Sequence, residues 1–388
     1  MSARRCSRRC FPVSDTLAPA RPAPQPPLSP IADVLCDLAA GRMAILVNEG
    51  GGAFDGALVA AAARATPEVV NLMARHGRGL VCLALTAERV ARLGLPLMPR
   101  RNASRQDTVF AVSIEARHGV STGISAEDRA RTIAVAIDPA ADPADIVTPG
   151  HVFPLVARDG GVLAHPGQAE AAVDLAALAG LGPCGVVCTV MGDGGAVAEP
   201  EELAALARRL GLRMAGVADL VTHRRRTETL VRRVVERDLD SRHGGRFHLI
   251  VYRNIVDGVE HVALVKGAPG GADAVPVRVH SVNLLDDILG DRDYARGGQL
   301  HAAMTRMERE GRGVVVLIRE AHNSSPSEHL RERELRRHDS GSNPRDLGIA
   351  AQILTELGIG RATLLTSHGQ DAAALERYGV TVAACESV

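Results

Sequence analysis

The chain has 388 residues, 46% of them hydrophobic, more than one ordinary core accommodates, and it therefore predicts two domains. Lys+Arg and Asp+Glu both number 45, so the net charge is zero and bulk electrostatics give no reason for a nucleic-acid or membrane partner. The seven cysteines are scattered and odd in number, which argues against a disulfide framework, and no apolar run approaches the ~20 residues of a membrane span.

Residues 1–30 read as a disordered tail, because Pro and Ala crowd its second half. Arg4, Arg5, Arg8 and Arg9 are followed by no hydrophobic segment, which argues against a secretory signal, so a cytoplasmic protein is expected. A helix over 31–40 ends at Gly41, and 43–47 is an apolar strand. After the glycines at 50–52 and the apolar run 57–63, residues 67–76 have helical spacing with Val70, Leu72 and Met73 inward. Strands are expected at 80–85 and 109–115, the second alternating as if half-buried. Ser125 caps a helix over 126–137, and further helices lie at 169–179 and 201–210 around a strand at 185–190. This interleaving is an α/β pattern.

The texture changes near Thr222. Arg224, Arg225 and Arg226 open a charged stretch to Arg246 that reads as a solvated linker helix. A second α/β domain follows, with strands at 247–252, 261–265, 275–280, 314–318 and 362–366 and helices at 299–309 and 348–357. Residues 319–344 are polar and charged and read as a mobile segment. The domain boundaries expected are 1–30, 31–223 and 224–388.

Ordered segments in the first domain resemble a known family. They are Arg75-His-Gly-Arg-Gly-Leu-Val-Cys82, Ser121-Thr-Gly-Ile-Ser-Ala-Glu-Asp-Arg129, Thr148-Pro-Gly-His-Val-Phe-Pro-Leu155 and Asp159-Gly-Gly-Val-Leu163. They are similar to 3,4-dihydroxy-2-butanone 4-phosphate synthase, which converts ribulose 5-phosphate to a butanone phosphate plus formate, uses magnesium and is usually a homodimer. The resemblance implies a substrate pocket including Thr122, Ser125 and Asp128, with His151 and Glu170 as the surviving catalytic positions. Without the resemblance, a His beside Pro149-Gly150 reads as a structural turn residue, and Cys82 as a small buried hydrophobe.

The resemblance also implies two metal ligands, a Glu after the first strand and a His in a Gly-His-Thr-Glu-Ala motif. Aligned without a gap, this chain has Ala53 at the first, with Gly52 and Ala57 at the substrate-binding Arg and Asp that the resemblance implies beside it, and Gln168 at the second, within Gly167-Gln-Ala-Glu-Ala171. Sliding the register to Asn48-Glu49-Gly50 puts Val47 at the first position instead. The expected phosphate-contacting Arg is His165, the catalytic Glu after Cys188 is Thr189, and Asp55, Glu49 and Glu170 are the acids nearby.

In the second domain, Glu260-His-Val-Ala-Leu-Val-Lys-Gly267, Val277-Arg-Val-His-Ser281, Gly297-Gly-Gln-Leu-His-Ala302 and Arg345-Asp-Leu-Gly348 resemble GTP cyclohydrolase II, which opens the guanine ring with a zinc-activated water. The three zinc cysteines the resemblance implies are Asn283, Tyr294 and Arg296 here, and no cysteine lies between Cys188 and Cys385. The pair Cys184 and Cys188 has no second pair to complete a zinc site. Zinc is not expected; magnesium in the first domain stays open. Candidate nucleotide contacts are Arg278, Gln299, Arg345 and Thr366. Two functions stay open: a non-catalytic descendant that binds a phosphorylated sugar or nucleotide or a pathway enzyme, or a lyase on ribulose 5-phosphate working through a changed catalytic set. A homodimer without nucleic-acid or membrane partners is expected in either case.

Overall fold

The computed structural model describes residues 28–48, 55–99, 108–271, 273–290, 298–319, 344–366 and 370–387. Two sheets organise them. The first is built from β1 (Ala44–Asn48), β2 (Asp55–Ala61), β3 (Arg78–Thr86), β4 (Val109–Phe110), β5 (Ile114–Ala116), β6 (Ile146–Ala157), β7 (Cys184–Val190) and β8 (Arg213–Gly216). Its order is β4-β6-β3-β7-β2-β1-β8, with β5 paired to β6.

Burial on both faces explains why its strands read as apolar runs rather than alternating ones. Ile45, Leu58, Leu83 and Val186 point into one core, against helices that supply Val70, Ile133 and Leu203. Their neighbours Leu46, Ala57, Ala84 and Val187 point into the opposite core, against Val34 and Leu38 and the alanines of helix Gln168–Leu178. The small side chains on this second face let that helix approach closely.

The second sheet holds β9 (Val231–Ser241), β10 (Gly245–Asn254), β11 (Glu260–Lys266), β12 (Val275–Ser281), β13 (Gly313–Ile318), β14 (Arg361–Leu365) and β15 (Thr381–Glu386). Its order is β15-β14-β12-β13-β11-β10-β9, parallel through β15, β14, β12 and β13 and antiparallel beyond. Helices Pro344–Glu356 and Gln370–Arg377 cover one face, and Gln299–Glu310 covers the other.

Several expectations change. The charged stretch after Thr222 is not one linker helix: the helix is Val217–Thr227, and β9 and β10 form a hairpin from 231 to 254. Its charges lie on an edge strand that is exposed over most of its length, where water solvates them. Leu72 is exposed rather than inward, because helix Pro67–Leu72 passes into a π turn, Met73–Gly77, which rotates the buried face onto Val69, Val70 and Met73. The strand expected at 109–115 is two short pieces, β4 and β5. Residues 28–30 are docked rather than loose: the Ser29 N–H donates to Met214 O at 2.7 Å. Residues 1–27 and most of 319–344 lie outside the described set.

The two sheets are joined through a polar clamp. Arg224, 14% exposed, donates to Asp174 Oδ2 at 2.7 Å and to Gly160 O at 3.0 Å, and pairs with Glu228. Gln352 of the second unit donates to Arg225 O at 2.7 Å and Glu228 O at 2.8 Å and accepts from Leu230 N–H at 2.7 Å. Burial pushes the Asp174 carboxyl up; the Val162 N–H and Arg224 pull the other way. Removing the cation from such a pair leaves a buried charge without compensation. Arg224→Met is therefore expected to cost about 3–5 kcal/mol of stability in urea unfolding. Asp174→Asn in the same chain should recover part of it; a loss below about 1 kcal/mol would show that the pair is solvated.

Candidate functional site

The segment 121–129 folds around one carboxylate. Asp128 Oδ1 accepts from the Ser121 N–H at 2.9 Å, and its Oδ2 accepts from the Ser121 hydroxyl and the Gly123 N–H, both at 2.9 Å. Ser125 Oγ accepts from the Asp128 N–H at 3.0 Å and so caps helix Ala126–Ile137. The Ser121 backbone N–H, helped by the Ser121 hydroxyl and the Gly123 N–H, holds the Asp128 carboxyl down at about 2 against the effect of burial. Thr122 lies exposed at the tip of this loop.

His151 stands next to the same loop. β5 pairs with β6 through Ile114↔Val152 and Glu115↔Val147, so residues 148–151 bulge out of the ladder between these two pairs. The bulge contains a cis Thr148–Pro149 bond. His151 Nδ1 lies 2.8 Å from Glu115 Oε2; the ring is 43% exposed and the carboxylate side chain 12%.

The same end of the sheet holds, on β2 and β7, further positions that the resemblance singles out. Ala57 and Thr189 are direct cross-strand partners. Gln168 opens helix Gln168–Leu178, and its Nε2 donates to Asp55 Oδ2, at the start of β2, at 2.8 Å. Burial pushes the Asp55 carboxyl up and the Gln168 hydrogen bond partly offsets this. The other oxygen, Oδ1, is buried without a partner. Glu170 is buried: Oε1 accepts from the Arg158 N–H at 3.0 Å and Oε2 faces His165 Nδ1 at 3.3 Å. Cys82 and Cys188 are buried thiols, pushed up to about 12 and about 11 chiefly by desolvation. Ala53 and Glu49 lie outside the described residues.

In the second unit, Arg278 donates to Leu365 O at 2.7 Å and to Gln299 Oε1 at 2.8 Å. Thr366, the next residue after Leu365, donates its hydroxyl to Asp371 at 3.0 Å. Arg278, Gln299 and Thr366 are thus gathered at one end of β12 and β14, whereas the side chain of Arg345 lies outside the described set. Asn283 donates its N–H to Asp287 Oδ2 at 2.8 Å, and Asp287 also faces His280 Nε2 at 2.9 Å. Tyr294 and Arg296 lie outside the described residues. Among those described, no group of three or more His, Cys, Asp and Glu side chains is arranged to hold a metal ion, and no helix is long and apolar enough to cross a membrane.

Residues 32–223 match the family model for 3,4-dihydroxy-2-butanone 4-phosphate synthase, and 232–387 match that for GTP cyclohydrolase II. The riboflavin biosynthesis protein RibBA of Salinispora arenicola is 42% identical over 368 residues, spanning 91% of this chain and 87% of that one. RibBA of Aquifex aeolicus is 41% identical over 367 residues, 91% and 90% of the two chains. This chain belongs to that bifunctional family. The structure of RibBX from A. baumannii, a two-domain 3,4-dihydroxy-2-butanone 4-phosphate synthase, superposes with a TM-score of 0.75 at 34% identity, covering 93% of this chain and all of the other.

For a member of this family, the residue that sequence reasoning passed over is Glu115. It closes an apolar strand where alternation places a solvent-facing side chain, yet it is only 9% exposed and contacts His151. The segment 121–129 carries a pH signature that can be measured. A carboxylate depressed in the folded state stabilises above its unfolded value, ~3.9, and that contribution fades as pH falls through the folded value. Asp128→Asn is expected to lower the melting temperature at pH 7. The gap between wild type and variant should close between pH ~4 and about 2. A gap that stays constant across this window would mean that Asp128 is not held as a carboxylate.

Proposed function

We propose that this chain is a riboflavin-biosynthesis-type protein whose first domain keeps a pocket for a phosphorylated pentose without running the parent lyase reaction at an enzymatic rate. Its second domain, in this reading, does not open GTP, and the chain assembles as a homodimer. The observation that carries the reading is the 2.8 Å hydrogen bond from Gln168 to Asp55. A magnesium ion needs oxygen donors with their lone pairs directed at it. Here a carboxamide turns its N–H toward the carboxylate, and Glu170 is committed to a backbone N–H and His165. The residues present therefore do not fit the cation. In the parent chemistry the metal would stabilise enediolate charge, an electrostatic contribution that is commonly the largest in such sites.

The pocket part is supported by the order of the 121–129 loop, whose backbone is fixed by Asp128 with Thr122 left exposed. In the second domain, Asn283, Tyr294 and Arg296 stand where the resemblance implies thiolates, and neither a carboxamide, a phenol nor a guanidinium replaces a zinc-bound sulfur. The A. baumannii protein, also of two domains, is named as a 3,4-dihydroxy-2-butanone 4-phosphate synthase. A second reading, lyase chemistry without metal, is favoured by the His151–Glu115 pair.

The purified protein given ribulose 5-phosphate and magnesium is expected to release no formate above background. Turnover of about 1 per second or faster would overturn the reading. Such turnover persisting in EDTA would select the metal-free lyase. Ala53→Glu combined with Gln168→His should gain a magnesium-dependent rise in melting temperature that the wild type lacks. The same preparation should carry no stoichiometric zinc and release no formate from GTP, and light scattering should read two chains. One zinc per chain, or a monomer at micromolar concentration, would remove the corresponding part.

A further inference from the structure

We propose that Glu115 is the positioning residue of His151: it fixes the neutral imidazole with Nδ1–H toward the carboxylate and so presents Nε2 as an acceptor for a hydroxyl of the bound sugar. The ligand half of this statement rests on the pocket reading above; the tautomer half does not.

Three observations carry it independently of the 2.8 Å contact. The first is the backbone. The bulge of residues 148–151 removes His151 from the β5–β6 ladder and turns it back over Glu115, the use to which bulges are put beside functional sites. The crossing is tight: a Cβ on Gly150 would lie 2.1 Å from Ile114 O, and the Gly150 N–H donates to Ser113 Oγ at 3.2 Å. The second is the space around the carboxylate. Gly123, at φ +84°, faces it so closely that a Cβ there would lie 1.7 Å from Glu115 Oε1. The 121–129 loop is therefore shaped around Glu115, which links two of the segments that carry the family resemblance.

The third is an incomplete balance of hydrogen bonds. Glu115 Oε1 is buried and has no partner. A buried carboxylate oxygen left without a donor costs stability, and an apolar residue at this point in the strand would avoid that cost. Retaining the acid is explicable by what its other oxygen does for His151. A ring nitrogen hydrogen-bonded to a carboxylate carries the proton, which leaves the opposite nitrogen bare. The His151 side chain is 43% exposed while its Nδ1 faces a carboxylate side chain only 12% exposed, so the proposed arrangement places the opposite nitrogen toward the ligand. A bare Nε2 accepts a hydrogen bond from a hydroxyl and offers nothing to a phosphate oxygen. At this point the pocket therefore selects the polyol part of a sugar phosphate.

The test uses the full chain labelled with ¹⁵N-histidine, with His151→Gln identifying the resonances, at a pH where the spectrum shows the ring neutral. Long-range ¹H–¹⁵N correlations should read a protonated Nδ1 and a bare Nε2. In Glu115→Ala the ring should change to the protonated Nε2 form, and in Glu115→Gln the two forms should mix. Affinity for ribulose 5-phosphate, measured by calorimetry, should weaken about tenfold or more in both variants. A protonated Nε2 in the wild type, or a tautomer unchanged in both variants, overturns the proposal. So does unchanged affinity in variants whose tautomer has changed, for the ligand half. A purely structural Glu115 would shift only the melting temperature. If the wild type binds no ribulose 5-phosphate while the tautomer responds as expected, the pocket reading fails and the positioning role stands.

Discussion

Carboxylates sunk beneath a sheet that is covered on both faces must find donors, and the arrangement of the first domain follows from how each does so. Water cannot solvate them there, and an unpaired buried charge costs several kcal/mol. Asp128 takes three donors from its own loop, Asp174 takes the Val162 N–H and Arg224, and Glu170 takes the Arg158 N–H and faces His165. Each of these also joins two parts of the chain: loop to helix, helix to helix, β6 to helix. Among the described residues, the buried carboxylate oxygens left without a partner belong to Asp55 and Glu115. Both lie where the family resemblance implies chemistry. Incomplete satisfaction of a buried group is tolerated where function, and not stability, sets the residue.

Much of this was legible in the sequence, for a physical reason. Strands buried on both faces are continuous apolar runs, and helices packed on one side show a 3.6 period, so 43–47, 80–85, 126–137 and 185–190 are readable from spacing alone. What failed depends on context that spacing does not carry. β6 contains Thr148-Pro149-Gly150, letters of a turn, yet it continues as a strand because the ladder resumes at Val152 after the bulge. The arginine-rich stretch after Thr222 looked uniformly solvated. One of its members, Arg224, is instead half-buried against Asp174, and the stretch beyond Thr227 becomes an edge hairpin whose outer strand is exposed. Nothing local distinguishes Arg224 from Arg225 or Arg226; the distinction is made by a residue fifty positions away.

The same limit applies to the sites. Gln168, Ala57 and Thr189 can each be read as departures from a motif, but the sequence cannot say whether their neighbourhood collapses or adjusts. The structure brings Ala57 opposite Thr189 and Gln168 onto Asp55. Small and neutral side chains therefore occupy one strand end together, with one oxygen of Asp55 bonded to Gln168 and the other buried without a partner. In the second unit Arg278 donates through both terminal nitrogens, to Leu365 O and to Gln299 Oε1. Glu115 escaped because an acid at the end of an alternating strand is ordinarily a surface residue, and only the approach of the 121–129 loop buries it.

The Gln168–Asp55 bond also bears on how such a site can change without loss of the fold. Removing an imidazole that faces a metal, and nothing else, would leave Asp55 beneath the helix with no counterpart once the cation was absent. A carboxamide of intermediate length supplies an N–H in its place, at the N-terminal end of a helix where partial positive charge already favours an anion. The interaction is local, neutral on one side and independent of any ion in solution. It lets the helix–strand contact persist under conditions that would strip a magnesium ion from an ordinary two-ligand site. In the proposed reading the domain thereby exchanges a catalytic cation for a fixed hydrogen bond, and the part of the pocket still free to meet a ligand is the one built around His151.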